Sequence, residues 1–265
     1  MLDQITPLII TYNELPNIGR TLARLDWARR IVVIDSGSTD GTLDLLRRDP
    51  RVRVFAHEFI DFAAQCNFGL AQIESPWVLS LDADHVLSPD LIDELRALVP
   101  RETTAGYRAR FVYRVHGRAL RGALYPPRTV LYRRDHGCYR QEGHAHRVCV
   151  DGDILALRGV IYHDDRKALP RWLTSQLRYA ADEAEYLLDG ARRLGRPLTR
   201  ADRLRLMAWP APLAAMFYVL FVKGCVLDGW RGWYYALQRL LAETLLALEI
   251  IDRRLRRARD PADGR

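Results

Sequence analysis

Asp82 and Asp84 stand two residues apart at the end of a short apolar run, WVLSLDAD at 77–84. Carboxylates spaced by two on an extended chain point to one side and can converge on one object. Two hard oxygen donors suit a divalent cation that shares them with a substrate's phosphates. Val78, Leu79 and Leu81 are the branched residues of a strand buried on both faces, as in a parallel sheet. Ligands of open α/β sheets gather beyond the carboxyl ends of such strands. An Asp-Ala-Asp turn or helix cap is the plainer reading. A further donor, His163, follows the branched run at 159–162. Chemistry can also gather at the turn 36–42, SGSTDGT, which follows RIVVID. Its small residues expose backbone N–H groups beside a helix start, a place for a nucleotide's polar edge or a phosphate. It is neither GxGxxG nor a GK[ST] loop, and an ordinary turn is the alternative.

The elements that must position these groups follow from hydrophobic period. Strands are expected at Ile5–Thr11, 30–35, 52–55 and 77–81, separated by helices at 18–25 (with Asn17 as N-cap), 42–48 and 62–72. Strand, turn and helix in alternation predict an α/β fold with a doubly wound, mostly parallel, Rossmann-like sheet. SPDLIDELRALV reads as an amphipathic helix capped by Ser88 with Pro89 first. Residues 106–150 read as short strands and loops that build the rest of a cleft. From Leu169 the pattern turns helical: Leu169, Trp172, Leu173, Gln176, Leu177, Ala180, Ala184 and Leu187 share one face, a linker spans 190–199, and a long helix covers 231–257. The expected division is a catalytic domain at 1–167 and a helical extension at 168–265.

The formal net charge of +7 favours a polyanionic partner, yet no nucleic-acid recognition motif is present. Cys66, Cys138, Cys149 and Cys225 read as isolated reduced thiols, which favours a cytosolic setting, and the first residues lack a secretion signal. Residues 207–227 are apolar, but Pro210, Pro212 and Lys223 interrupt them, so a buried or interfacial helix fits better than a spanning one. Trp209, Phe217, Tyr218, Trp230, Trp233, Tyr234 and Tyr235, with Lys223, Arg231 and the arginines at 253, 254, 256 and 257, suit anionic lipid headgroups. An ordinary dimer or core face is the alternative.

With TYNE at 11–14, VIDSGSTDGT at 33–42 and LDAD at 81–84 in that order, the chain resembles an inverting family 2 glycosyltransferase of the GT-A fold. It is similar to the branch that includes lipopolysaccharide-core glucosyltransferases. FAAQCNFGL at 62–70, LSPDL at 87–91 and GYRARFVYRVHGR at 106–118 agree, so the resemblance spans roughly residues 6–165. It implies that Thr11, Tyr12, Asn13 and Glu14 line the pocket under base and ribose. Asp35 would bond the base edge, with Ser36, Gly37 and Ser38 beside it, and Gln65 and Asn67 would face the nucleotide. Asp82 would approach the ribose, Ala83 follow it, and Asp84 ligate Mg²⁺ or Mn²⁺, with His163 completing the metal site or touching the diphosphate.

Arg128, Arg133 and Arg134 are candidates to steady the departing diphosphate. For the catalytic base, relatives carry an acidic residue in an ED or HE pair. This chain reads QEGHAHRV, with His146 at the carboxylate position and Glu142 and His144 as alternatives. The implied protein is a metal-dependent transferase that takes a nucleotide-diphosphate sugar, UDP-linked by preference, to a lipid-linked or cell-surface glycan. It would sit peripherally on the cytoplasmic face of the inner membrane, and a homo-oligomer is compatible. Two rivals remain at this stage. The replaced base favours an inactive GT-A scaffold in a membrane glycan-assembly complex. A nucleotidyltransferase would need a glycine-rich phosphate loop with a basic residue, which LIITYNELPN lacks.

Overall fold

The computed structural model describes residues 1–143, 145–190, 195 and 197–259. Contacts divide the chain into two compact units: Met1–Ala119, Leu124–Gln141 and His146–Lys167 form one, and Leu120–Ala123, Glu142–Ala145 and Ala168–Arg265 the other.

In the first unit the branched runs form β1 (Ile5–Thr11), β2 (Ile31–Asp35), β3 (Val52–Ala56) and β4 (Trp77–Asp82), all parallel in the order β3-β2-β1-β4. Their crossovers carry α1 (Ile18–Leu22), α2 (Thr42–Arg47) and α3 (Phe62–Leu70). Alternate side chains serve two cores, which is why these strands carry no polar face. Ile5, Ile9, Val33, Leu79 and Leu81 pack into the layer of Ile18, Leu22 and Leu46, while Leu8, Val32, Ile34 and Val78 pack against Ala63, Cys66 and Leu70 of α3. Gly69 lets α3 approach: a Cβ there would come 2.4 Å from Leu8 Cδ1.

Beyond β4 the sheet becomes mixed. β5 (His85–Leu87) leads to α4 (Pro89–Ala97), where the Ser88 hydroxyl accepts the Leu91 N–H as expected of a cap. β6 (Thr104–Val115), β7 (Arg118–Ala119), β8 (Arg128–Arg133) and β11 (Asp153–His163) complete the path β4-β8-β6-β11-β5, with β7 paired to β6, and β9 (Gly137–Glu142) and β10 (Ala145–Val150) form a separate pair. The expectation of short strands here fails for GYRARFVYRV, which lies within the twelve-residue β6, and for the final strand, which runs eleven residues.

Two expectations need correction. β8 is antiparallel to β4, pairing Trp77 with Arg133, and the Arg134 N–H reaches the Pro76 carbonyl. Arg133 and Arg134 therefore stand at the amino end of β4, away from Asp82; only Arg128 comes to the carboxyl end. Asn17 does not cap α1 through its side chain, which is occupied elsewhere, and that helix stops at Leu22. Cys66, Cys138, Cys149 and Cys225 are all free thiols.

The second unit contains α5 (Leu169–Glu185), α6 (Arg200–Leu206), α7 (Pro210–Phe217) and α8 (Trp230–Arg259). Within 207–227, α7 passes into a π turn at Tyr218–Val222 and a 3₁₀ turn at Cys225–Asp228. Ala180, Ala184, Leu187, Leu246 and Ile250 make the core between α5 and α8, and Arg205 forks onto buried Glu243 with Glu183 3.5 Å away. Most of the 190–199 linker lies outside the described residues. Among the described residues, no helix is long and apolar enough to cross a membrane.

Candidate active site

Parallel pairing brings three strand ends to one edge of the sheet. Thr11 lies opposite Asp35, and Ile10 opposite Asp82. The loops after β1 and β2 are stitched together there. Asp35 is buried; its Oδ1 accepts the N–H groups of Gly37 (2.9 Å) and Ser38 (2.8 Å), and its Oδ2 accepts the hydroxyls of Thr11 (2.9 Å) and Ser38 (2.5 Å). Both oxygens are spent on shaping the loop. Asn13, at φ 55°, donates its N–H to Ser38 Oγ (2.7 Å) and accepts the Thr39 N–H (2.7 Å), while the Glu14 N–H reaches Thr42 Oγ1 (2.8 Å). Gln65 is likewise buried, with Nε2 donating to Ser36 Oγ and to the carbonyls of His57 and Glu58. Tyr12 is exposed.

The carboxylate pair converges differently from the sequence expectation. β4 ends at Asp82, and a turn over Ala83 and Asp84 reverses the chain into β5; the Thr21 hydroxyl holds the Ala83 carbonyl at 2.7 Å. β5 pairs antiparallel with β11, setting His85 beside His163. His163 Nε2 then lies 3.5 Å from Asp84 Oδ2, while His85 Nε2 lies 3.4 Å from Asp82 Oδ2 and 3.9 Å from Asp84 Oδ1. One donor atom each from Asp84, His85 and His163 fits within 4.8 Å of the others. Asp84 Oδ1, His85 Nε2 and His163 Nδ1 are buried with no hydrogen-bond partner. Buried polar atoms are ordinarily satisfied, so a cluster of converging carboxylate and imidazole groups with atoms left unsatisfied fits a divalent cation.

The charges around the set are arranged to keep Asp82 ionised. Burial opposes its charge, but His85, His146, Arg128 and His163 pull its carboxyl down to about 2. Lys167, unremarked in the sequence, donates to Glu14 Oε1 at 2.7 Å and lies 3.5 Å from Asp165 Oδ1. Burial disfavours its ammonium, yet Asp84, Glu14 and Asp165 together raise its pKa. Glu14 is thereby held in a buried network beside the strand ends. Asn17, wholly buried, is the hub: it donates to Glu14 Oε2 and Asp165 Oδ1 and accepts from Arg20 Nη2 and the Arg166 N–H.

His146 sits on β10 with its ring 5.8 Å from that of Phe62 and 5.5 Å from that of Tyr139. Burial lowers its pKa, Asp82 partly offsets this, Arg128 adds to it and Asp61 opposes. Asn67 braces β9, its amide donating to the Tyr139 carbonyl and accepting the Tyr139 N–H. Glu142 ends β9 and belongs to the helical unit, and His144 lies outside the described residues. Of the residues singled out in the sequence, the structure thus brings Asp82, Asp84 and His163 together, with His146 among the charges that act on Asp82. The sequence reading passed over His85, which directly follows Asp84, and Lys167, four residues after His163.

A mostly parallel sheet with acidic and histidine donors at its strand ends is the GT-A architecture of glycosyltransferases. A mannosyltransferase from Pyrobaculum calidifontis, solved with GDP-mannose and Mn²⁺, shares the fold, with a TM-score of 0.55 over 94% of this chain and 88% of that one at 17% identity. The glycosyl transferase family 2 model matches residues 7–164, and the chain belongs to that family. Among its relatives is the lipopolysaccharide core biosynthesis glycosyltransferase LpsC of Rhizobium meliloti (strain 1021), 26% identical over 98% of this chain and 96% of that protein. An uncharacterized glycosyltransferase, RP128, of Rickettsia prowazekii (strain Madrid E) is 23% identical over 73% and 71%.

Proposed function

We propose that this glycosyltransferase is a divalent-cation-dependent, inverting enzyme that uses a nucleotide-diphosphate sugar, a UDP-sugar by preference, and extends a lipid-linked or cell-surface glycan on the cytoplasmic face of the inner membrane. The observation that carries it is the convergence of Asp84 Oδ2 and His163 Nε2 at 3.5 Å, beside the partnerless Asp84 Oδ1 and an ionised Asp82. The near full-length likeness to LpsC supports the acceptor class.

In this reading Asp84 and His163 hold Mg²⁺ or Mn²⁺, which would supply positive charge against the charge building on the departing diphosphate. The loops after β1 and β2, with Tyr12, Asn13 and Ser36 to Ser38, receive the nucleoside, and Asp35 acts by holding their shape. Arg128 adds fixed positive charge near Asp82. His146, kept neutral by burial, takes the acceptor hydroxyl's proton as that oxygen bonds to the anomeric carbon. The anomeric C–O bond breaks with its electron pair leaving on the diphosphate, and attack from the opposite face inverts the centre.

A thermal-shift panel of UDP, GDP, CDP and TDP, each with Mn²⁺ and with EDTA, tests this without knowledge of the acceptor. We expect Tm to rise with one diphosphate only when Mn²⁺ is present, and Asp84→Ala to abolish the Mn²⁺-dependent part. No rise with any of the four would overturn the reading.

A further inference from the structure

His85 forms the third corner of the triangle with Asp84 and His163, and the bonding of its ring decides what it does there. The Asp82 backbone N–H donates to His85 Nδ1 at 2.9 Å. A neutral imidazole whose Nδ1 accepts a hydrogen bond carries its proton on Nε2. That Nε2 is the atom facing Asp82 Oδ2 at 3.4 Å and Asp84 Oδ1 at 3.9 Å. It is buried without a partner, as is Asp84 Oδ1. A cation ligand must present a lone pair, and this nitrogen presents an N–H. The triangle therefore holds two ligands and one donor.

We infer that His85 is a positioning residue, not a metal ligand: its Nε2–H turns its positive end toward Asp82 Oδ2 and Asp84 Oδ1 without closing a hydrogen bond to either, which leaves Asp84 Oδ2 to face His163 and the cation. The inference rests on the metal reading proposed above. For His85 to ligate instead, its Nε2 would have to lose the proton while Nδ1 still accepts from Asp82, or the ring would have to turn over and abandon that buried N–H. The ring has little room to turn. It lies 5.0 Å from Phe111, 5.6 Å from His163 and 6.3 Å, edge-on, from Tyr125. Donors that orient a ligating carboxylate from behind commonly change metal affinity by about 10–100-fold when removed.

The experiment is pulsed EPR of Mn²⁺ bound to the intact protein, with ¹⁵N NMR of its histidine rings before metal is added. We expect one histidine nitrogen coupled to Mn²⁺, and a His85 ring protonated on Nε2 in the metal-free protein. Two coupled histidine nitrogens, or a metal-free His85 protonated on Nδ1, would overturn this inference and leave the metal reading standing. No Mn²⁺ binding at all would remove the metal reading and this inference with it. Direct Mn²⁺ titration adds a second arm: His85→Ala should weaken binding about 10–100-fold, and His85→Gln, whose amide can reach the Nε2 position, should recover most of the loss. Unchanged affinity in folded His85→Ala would also overturn the assignment. Should that variant fail to fold, the nitrogen count on the wild-type protein decides.

Discussion

At the scale of single residues the site depends on which groups carry protons. Burial lowers the His146 pKa below the ordinary 6.5, with Arg128 acting in the same direction and Asp82 and Asp61 against it, so the ring is neutral at pH 7 and can accept a proton. The acid limb of the kcat profile is expected below pH 6.5, and His146→Ala should lower kcat by about 10²–10⁴-fold while the Mn²⁺-dependent nucleotide shift persists. A wild-type limb that the substitution leaves in place would exclude His146 as the base. The same shift makes a stability statement. Because the folded state resists protonating this ring, its contribution is constant above the unfolded pKa near 6.5 and is lost as pH falls below it. Asp82, Asp84 and His163 were legible in the sequence because strand-end donors follow branched runs. His85 was not, since its role arises only when the turn folds its ring back onto the Asp82 N–H.

At the scale of elements, the loops are fixed by side chains that the sequence assigned to other tasks. Asn17 looked like a helix cap, yet its four partners tie the start of α1 to the segment after β11. Asn17→Ala would leave the Arg166 N–H and two carboxylates short of partners in a buried place. The expected loss is about 2–4 kcal/mol by urea unfolding. A loss below about 0.5 kcal/mol, the ordinary range of surface changes, would show that the network is not holding the loop. Asn17→Asp should cost more, because it replaces a donor by a charge among Glu14, Asp164 and Asp165. The parallel half of the sheet was readable because continuous branched runs alternate with helices. The direction of β8 was not, because alternation of apolar residues is the same whichever way a strand runs. That is why Arg133 and Arg134 were assigned to the wrong end of the sheet.

At the scale of the whole molecule, charge and apolar surface are unevenly distributed. Residues 168–265 carry 17 basic against 11 acidic side chains, so they hold +6 of the net +7. The same unit leaves Trp209 (75% exposed), Leu213, Phe217 (61%), Phe221, Leu227 and Trp230 (86%) in solvent. Soluble monomers seldom leave so many large apolar groups together, and aromatic and basic side chains on helices that are not both long and apolar enough to span, as among the described residues here, suit an interfacial anchor. This surface extends over α7, the turns after it and the start of α8, and the basic excess of the same residues favours anionic headgroups over a second, equally basic copy. The protein should therefore sediment with phosphatidylglycerol vesicles at low salt and not with phosphatidylcholine. Binding should weaken but persist at about 0.5 M salt, since screening removes the charge attraction and leaves the aromatic insertion. Trp209→Ser, Phe217→Ser and Trp230→Ser combined should release it, each removing up to about 1.5–3 kcal/mol of apolar burial, with the nucleotide-dependent Tm shift unchanged. A protein that ignores anionic vesicles, or a dimer that the triple substitution converts to monomer, would transfer this surface from the membrane to another copy of the chain.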